Sequence, residues 1–117
     1  MNIELRNNEG VIKQGSANHW QDWEAVGGKL FLTDQRLVFK SHSFNVQRHE
    51  TSIELEEVAF VKSRNNFLLV PNGMSIFLRN GQEERFVIWS RKDWITKIRQ
   101  AKITREKALE KGMKNKE

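Results

Sequence analysis

Three histidines, two groups of carboxylates and a C-terminal series of cations are the side chains here with chemistry to offer. His19, His42 and His49 invite a metal or acid–base site. None stands at helical ligand spacing from another, no Cys accompanies them, and only Glu50 adjoins His49. A transition-metal centre needs several such groups converging, so neither a metal nor a cofactor is expected. Glu54, Glu56 and Glu57, and then Glu83 and Glu84, invite general acid–base work. Glu54 and Glu56 alternate with Ile53 and Leu55, which puts them on the solvent side of a strand, and Glu83 and Glu84 flank a hairpin. Neither group lies beside a Ser, Cys or Lys arranged as a nucleophile. No catalytic residue is assigned, and the chain is read as a non-enzyme.

The cations make the better case. Residues 1–90 hold ten Lys/Arg against eleven Asp/Glu, whereas residues 91–117 hold ten against four, a net of +6. Lys92, Arg99, Lys102, Arg105, Lys107 and Lys111, continued by Lys114 and Lys116, are candidates for contact with an anionic membrane surface. Each basic residue near such a surface is worth about 1 kcal/mol. Glu106, Glu110 and Glu117 temper that attraction, and Lys102–Glu106 and Glu110–Lys114 are spaced for i,i+4 pairs. Nucleic-acid binding through the same helix is the competing reading. It is disfavoured, because the body is near neutral and no aromatic interleaves with the cations after Trp94. Trp23 is a candidate exposed contact, since Trp favours the boundary between water and lipid. Ile103, Ala108 and Leu109 leave self-association open.

The elements that position these residues are mostly strands. Gly27–Lys40 reads as one hairpin: Leu30 and Leu32 alternate with Phe31, Leu37 and Phe39 with Val38, and Thr33-Asp34-Gln35-Arg36 supplies the turn. The Gly27-Gly28 pair marks the point where the chain arrives from elsewhere. Gly10–Trp20 reads as one long bent strand and residues 1–9 as a loose end or short edge strand. Ser52–Glu56 is a strand, Val58–Val61 a strand covered on both sides or a sharp bend, and Phe67–Val70 an apolar run stopped by Pro71-Asn72-Gly73. Asn80-Gly81 between alternating runs predicts a hairpin with positive φ at both residues. Ser90 and Asp93 have the spacing of a capping box. Trp94, Ile95, Ile98 and Ala101 then recur on one helical face, and beyond them the helix is expected to project into water. The fold class that follows is mainly β: a pleckstrin-homology-like (PH-like) split β-barrel of about seven antiparallel strands capped by one C-terminal α-helix. No run of eighteen apolar residues and no secretory layout is present, so a cytoplasmic place is expected, free or peripheral at the inner membrane face.

Longer stretches resemble a narrower family. Ala17-Asn18-His19-Trp20, Val26–Thr33, Arg36–His42 and Ser52–Leu55, with the later Pro71–Met74, Phe86-Val87-Ile88 and Trp94, are similar to the GRAM domain. The resemblance covers residues 10–102, as in a small stand-alone member of bacterial type, with 1–9 a short leading segment and 103–117 a basic helix extension and frayed tail. It implies a PH-like module that binds a protein partner or lipid headgroups and has no catalytic role. It also implies that Trp20 packs in the core and that His19 and His42 make hydrogen bonds at strand ends. Where PH-type modules that bind phosphoinositides place cations, this chain has Gln21-Asp22-Trp23-Glu24, and two acids there oppose a phosphorylated inositol.

Overall fold

The computed structural model describes residues 2–21, 23–42, 50–65 and 72–114. Seven strands are present, β1 (Val11–Gln21), β2 (Glu24–Thr33), β3 (Arg36–Ser41), β4 (Glu50–Glu54), β5 (Val58–Arg64), β6 (Gly73–Leu78) and β7 (Glu83–Ile88), followed by helix α1 (Arg91–Lys114). A single 3-10 turn, Leu55–Glu57, joins β4 to β5. All strand pairs are antiparallel, in the order β4-β3-β2-β1-β7-β6-β5. Among the described residues β4 and β5 do not pair, so the sheet curls into a split barrel without closing. The apolar run Phe67–Val70 lies outside the described residues.

Alternation explains the core. Leu30, Leu32, Leu37 and Phe39 from the central hairpin meet Ile53, Met74, Ile76, Phe86 and Ile88, and the helix adds Trp94, Ile95, Ile98 and Ala101. The whole helical stripe read from sequence is therefore buried. Phe31 and Val38 point the other way, stand outside that cluster, and are also fully buried. Across β3 lies the leading segment, whose backbone oxygens at Asn2, Glu4 and Asn7 accept hydrogen bonds from Lys40, Arg36 and Gln35. This segment is neither a loose end nor a strand.

Four local expectations change. Trp20 is not in the core: Ala17 and His19 face inward, and Trp20 faces out, about a third exposed. Strand parity forces this, since neighbours on a strand take opposite faces. β2 runs straight through Gly27-Gly28, and Gly28 is needed for close packing, because a Cβ there would lie 2.2 Å from the Lys40 carbonyl oxygen. Val58–Val61 carries a bulge between Val58 and Phe60, which turns Phe60 to solvent. The β6–β7 turn has positive φ at Gly81 alone. Gly81 N–H donates to Leu78 O and Leu78 N–H to Gln82 O, the pattern of a three-residue loop in which only the last residue is left-handed.

Candidate functional site

Helix α1 carries the cations, and its start is set by charge rather than by the expected cap. Ser90 adopts φ 59 and its carbonyl receives the Trp94 N–H at 3.1 Å. The Asp93 carboxylate does not turn back to Ser90. It accepts from Lys13 Nζ and Lys97 Nζ, both at 2.7 Å, and these two bonds hold it below the usual carboxylate range. Lys13 Nζ also sits 5.3 Å from the centre of the Trp94 ring, which ties β1 to the helix by an ion pair and a cation–π contact together.

The cations then divide. Arg99 Nη2 donates to the Val61 carbonyl at 2.9 Å and fastens the helix to β5. Lys102 Nζ meets Glu106 Oε1 at 2.7 Å, the i,i+4 pair read from sequence, and Arg79 reaches the same carboxylate at 3.3 Å. The Lys102 bond lowers the Glu106 pKa against a smaller opposing effect of burial. Arg105 Nε is buried, 3.6 Å from Glu56 Oε1, too far for a hydrogen bond but an ion pair. Hence the helix keeps contact with the body as far as Glu106, through Arg99, Arg105 and the Glu106–Arg79 pair, while Lys102 is paired within the helix and residues 107–112 are exposed. Lys92, Lys107 and Lys111 are exposed, with no ion-pair partner among the described residues. The expected Glu110–Lys114 pair involves a side chain outside those described, as does Lys116.

Trp23 stands at the tip of the β1–β2 hairpin, 90% exposed. It is on a different element from the cations of α1, a helix that packs against β5, the 3-10 turn and β6. His19 is a buried scaffold residue. Its ring stacks on Phe86 at 4.6 Å and tilts against Phe39, and its Nε2 lies 2.5 Å from Glu84 Oε2. His42 is exposed and His49 lies outside the described residues.

Two clusters escaped the sequence reading. In the first, Glu9 is buried with Arg36 Nε at 2.8 Å and the Thr33 hydroxyl at 2.7 Å, and its other oxygen receives the Arg6 N–H. Burial pushes its pKa up, but hydrogen bonds from Arg36, the Arg6 backbone and Thr33 outweigh it and bring the carboxyl to about 2. In the second, Glu83 is not ordinary surface. It receives the buried Ser75 hydroxyl at 2.6 Å, Arg64 at 3.0 Å and Arg85 at 3.1 Å. The pairs Glu9–Arg36 and Arg64–Glu83 join residues well apart in sequence, which composition and periodicity do not bring together.

Comparison with solved structures gives the fold. The chain is similar to the C-terminal domain of an unknown protein from Leishmania infantum at TM-score 0.71 and 14% identity, covering 81% of this chain and 85% of that one. It is similar to the Vps36 N-terminal PH domain at TM-score 0.66 and 18% identity, covering 91% and 86%. A third similar structure is the Slm1 PH domain in complex with phosphoserine, at TM-score 0.57 and 19% identity, covering 80% and 93%. Curated proteins gave no match. The family model for the GRAM domain matches residues 1–106. With the seven-stranded split barrel and its capping helix, that match places the chain in the GRAM domain family.

Proposed function

We propose that this GRAM domain is a non-catalytic interaction module that docks on an acidic membrane surface through the solvent side of α1. The observation that carries the reading is the division of the cations. Arg99 and Arg105 anchor the helix and Lys102 is paired with Glu106 within it, while Lys92, Lys107 and Lys111 remain exposed. Asp93 and Glu106, the acids that would neutralise the helix, are each held by two cations. Glu110 is the remaining acid of α1, and it does not offset three lysines. The helix is already formed and packed on β5 and the 3-10 turn, so docking does not have to order its backbone, which lowers the entropic cost. The PH-like Slm1 domain taken in complex with phosphoserine supports an anionic ligand for this fold. Trp23 serves as an accessory contact at the hairpin tip.

No helix among the described residues is long and apolar enough to cross a membrane, so attachment of this kind is peripheral and electrostatic. Three lysines at about 1 kcal/mol each give roughly 3 kcal/mol, an affinity that salt screens strongly. The test is co-sedimentation with phosphatidylserine-rich against neutral vesicles at low and physiological salt. Binding that needs the acidic lipid and weakens with salt supports the reading; equal sedimentation with both vesicle types refutes it.

A further inference from the structure

The outward face of β5, β6, β7 and β1 carries a second surface that the helix reading does not use. Register places its residues in rows. Lys62 pairs with Ser75, Ser75 with Arg85, and Arg85 with Trp20; one row away Phe60 pairs with Phe77 and Phe77 with Glu83. Phe60 is about half exposed and stacks on Phe77 at 4.5 Å, and Trp20 is a third exposed. Lys62, Arg64 and Arg85 are exposed beside them. Three aromatics thus lie among three cations, with Glu83 the single acid of the cluster.

The centre of this face is fixed. Arg64 Nε donates to the buried Ser75 hydroxyl at 2.9 Å, and Ser75 donates to Glu83. Arg64 and Arg85 both grip Glu83. One carboxylate cannot satisfy two guanidiniums with five N–H donors each. The Arg64 and Arg85 side chains are 43% and 54% exposed, so N–H groups beyond those on Glu83 and Ser75 remain for a ligand, and the net charge of the cluster is positive. Trp, Phe and Arg are enriched at protein–protein interfaces, and Trp and Arg are among the residues that carry most of the binding energy.

We propose that this sheet face is a docking surface for an acidic, amphipathic segment of a partner protein, with its carboxylates on Lys62, Arg64 and Arg85 and its apolar side chains against Phe60, Phe77 and Trp20. Charge complementarity selects the occupant. A single-stranded nucleic acid fits less well, because Phe60 and Phe77 turn their ring faces to each other and leave few faces for bases. A bilayer fits less well, because sinking the face would bury Glu83 and its two guanidiniums. None of the six contact residues lies on α1 or pairs with its exposed lysines, so a partner on this face and lipid on the helix would use different side chains.

The test uses the full chain labelled with 15N, titrated with the synthetic peptide Asp-Glu-Asp-Phe-Asp-Glu-Leu-Glu and, separately, with a thymidine oligonucleotide. Peptide-induced shifts should concentrate on Phe60, Lys62, Phe77, Arg85 and the Trp20 indole. Lys62→Glu, an exposed change, should weaken peptide binding at least tenfold while leaving the rest of the spectrum in place. Phe60→Ser serves as a second variant on the apolar side, with the same expectation. Lys107→Glu on the helix should leave peptide binding unchanged while reducing vesicle binding, which separates this proposal from the membrane reading. Absence of shifts on this face, shifts confined to α1, or tighter binding of the oligonucleotide than of the peptide would each overturn it.

Discussion

At the scale of single residues, Glu9 shows how a buried charge becomes a stability term. Its carboxyl side chain is removed from water and carries Arg36, Thr33 and the Arg6 backbone as donors, with a pKa of about 2 against 4.5 when free. A depressed carboxyl stabilises the fold fully above pH 4.5, and that stabilisation is lost as pH falls toward 2. The difference corresponds to about 3 kcal/mol. Urea denaturation of the wild type should therefore lose about that much more between pH 5 and pH 2 than the Glu9→Gln variant does. Equal losses would mean that Glu9 is not the titrating group. Gly28 makes a steric statement instead. Gly28→Ala must push a Cβ against the Lys40 backbone carbonyl and part β2 from β3, which costs roughly 1–3 kcal/mol. A lowered thermal midpoint is expected; an unchanged one would show that the strands yield freely. Residues were legible where periodicity was strict, as at Leu30, Leu37 and Ile53. They were not legible on β1, where Gly15, Ala17 and small polar residues blur the alternation. There His19, not Trp20, takes the inward place, and the largest side chain is not the buried one.

At the scale of elements, turns and caps separate what a motif names from what the backbone does. Asn80-Gly81 marks a hairpin in sequence and is one in the structure. The loop has three residues, and the left-handed backbone falls on Gly81 at φ 93. Gly81→Ala should thus cost about 1 kcal/mol by equilibrium unfolding. An unchanged stability would contradict the turn assignment. The helix stripe Trp94–Ala101 was readable because burial follows helical spacing directly. The continuation was not, because Arg105 and Lys102 are charged and sequence alone counts charge as solvent-facing. Arg105 meets Glu56 of the 3-10 turn and Lys102 meets Glu106 of its own helix, and long cationic side chains can line a packed face while their heads find partners.

At the scale of the molecule, charge and shape are divided between the barrel and its helix. The body is near neutral, the helix is strongly basic, and the seven strands form a frame that holds the helix along β5 and the 3-10 turn. The fold was visible in the sequence because strand period, Gly-marked turns and one helical stripe all point to the same architecture. The site was visible only as a composition. Which cations remain available depends on pairs such as Arg99 with the Val61 carbonyl and Arg105 with Glu56, which the three-dimensional packing decides. The most direct measurement is vesicle co-sedimentation of the full chain beside a Lys92→Glu, Lys107→Glu, Lys111→Glu variant, both shown by thermal unfolding to be equally folded. The wild type should bind phosphatidylserine-rich vesicles and the variant about a hundredfold or more weaker, the loss of roughly 3 kcal/mol. Indistinguishable binding by the two proteins, or no binding by the wild type at low salt, would contradict it.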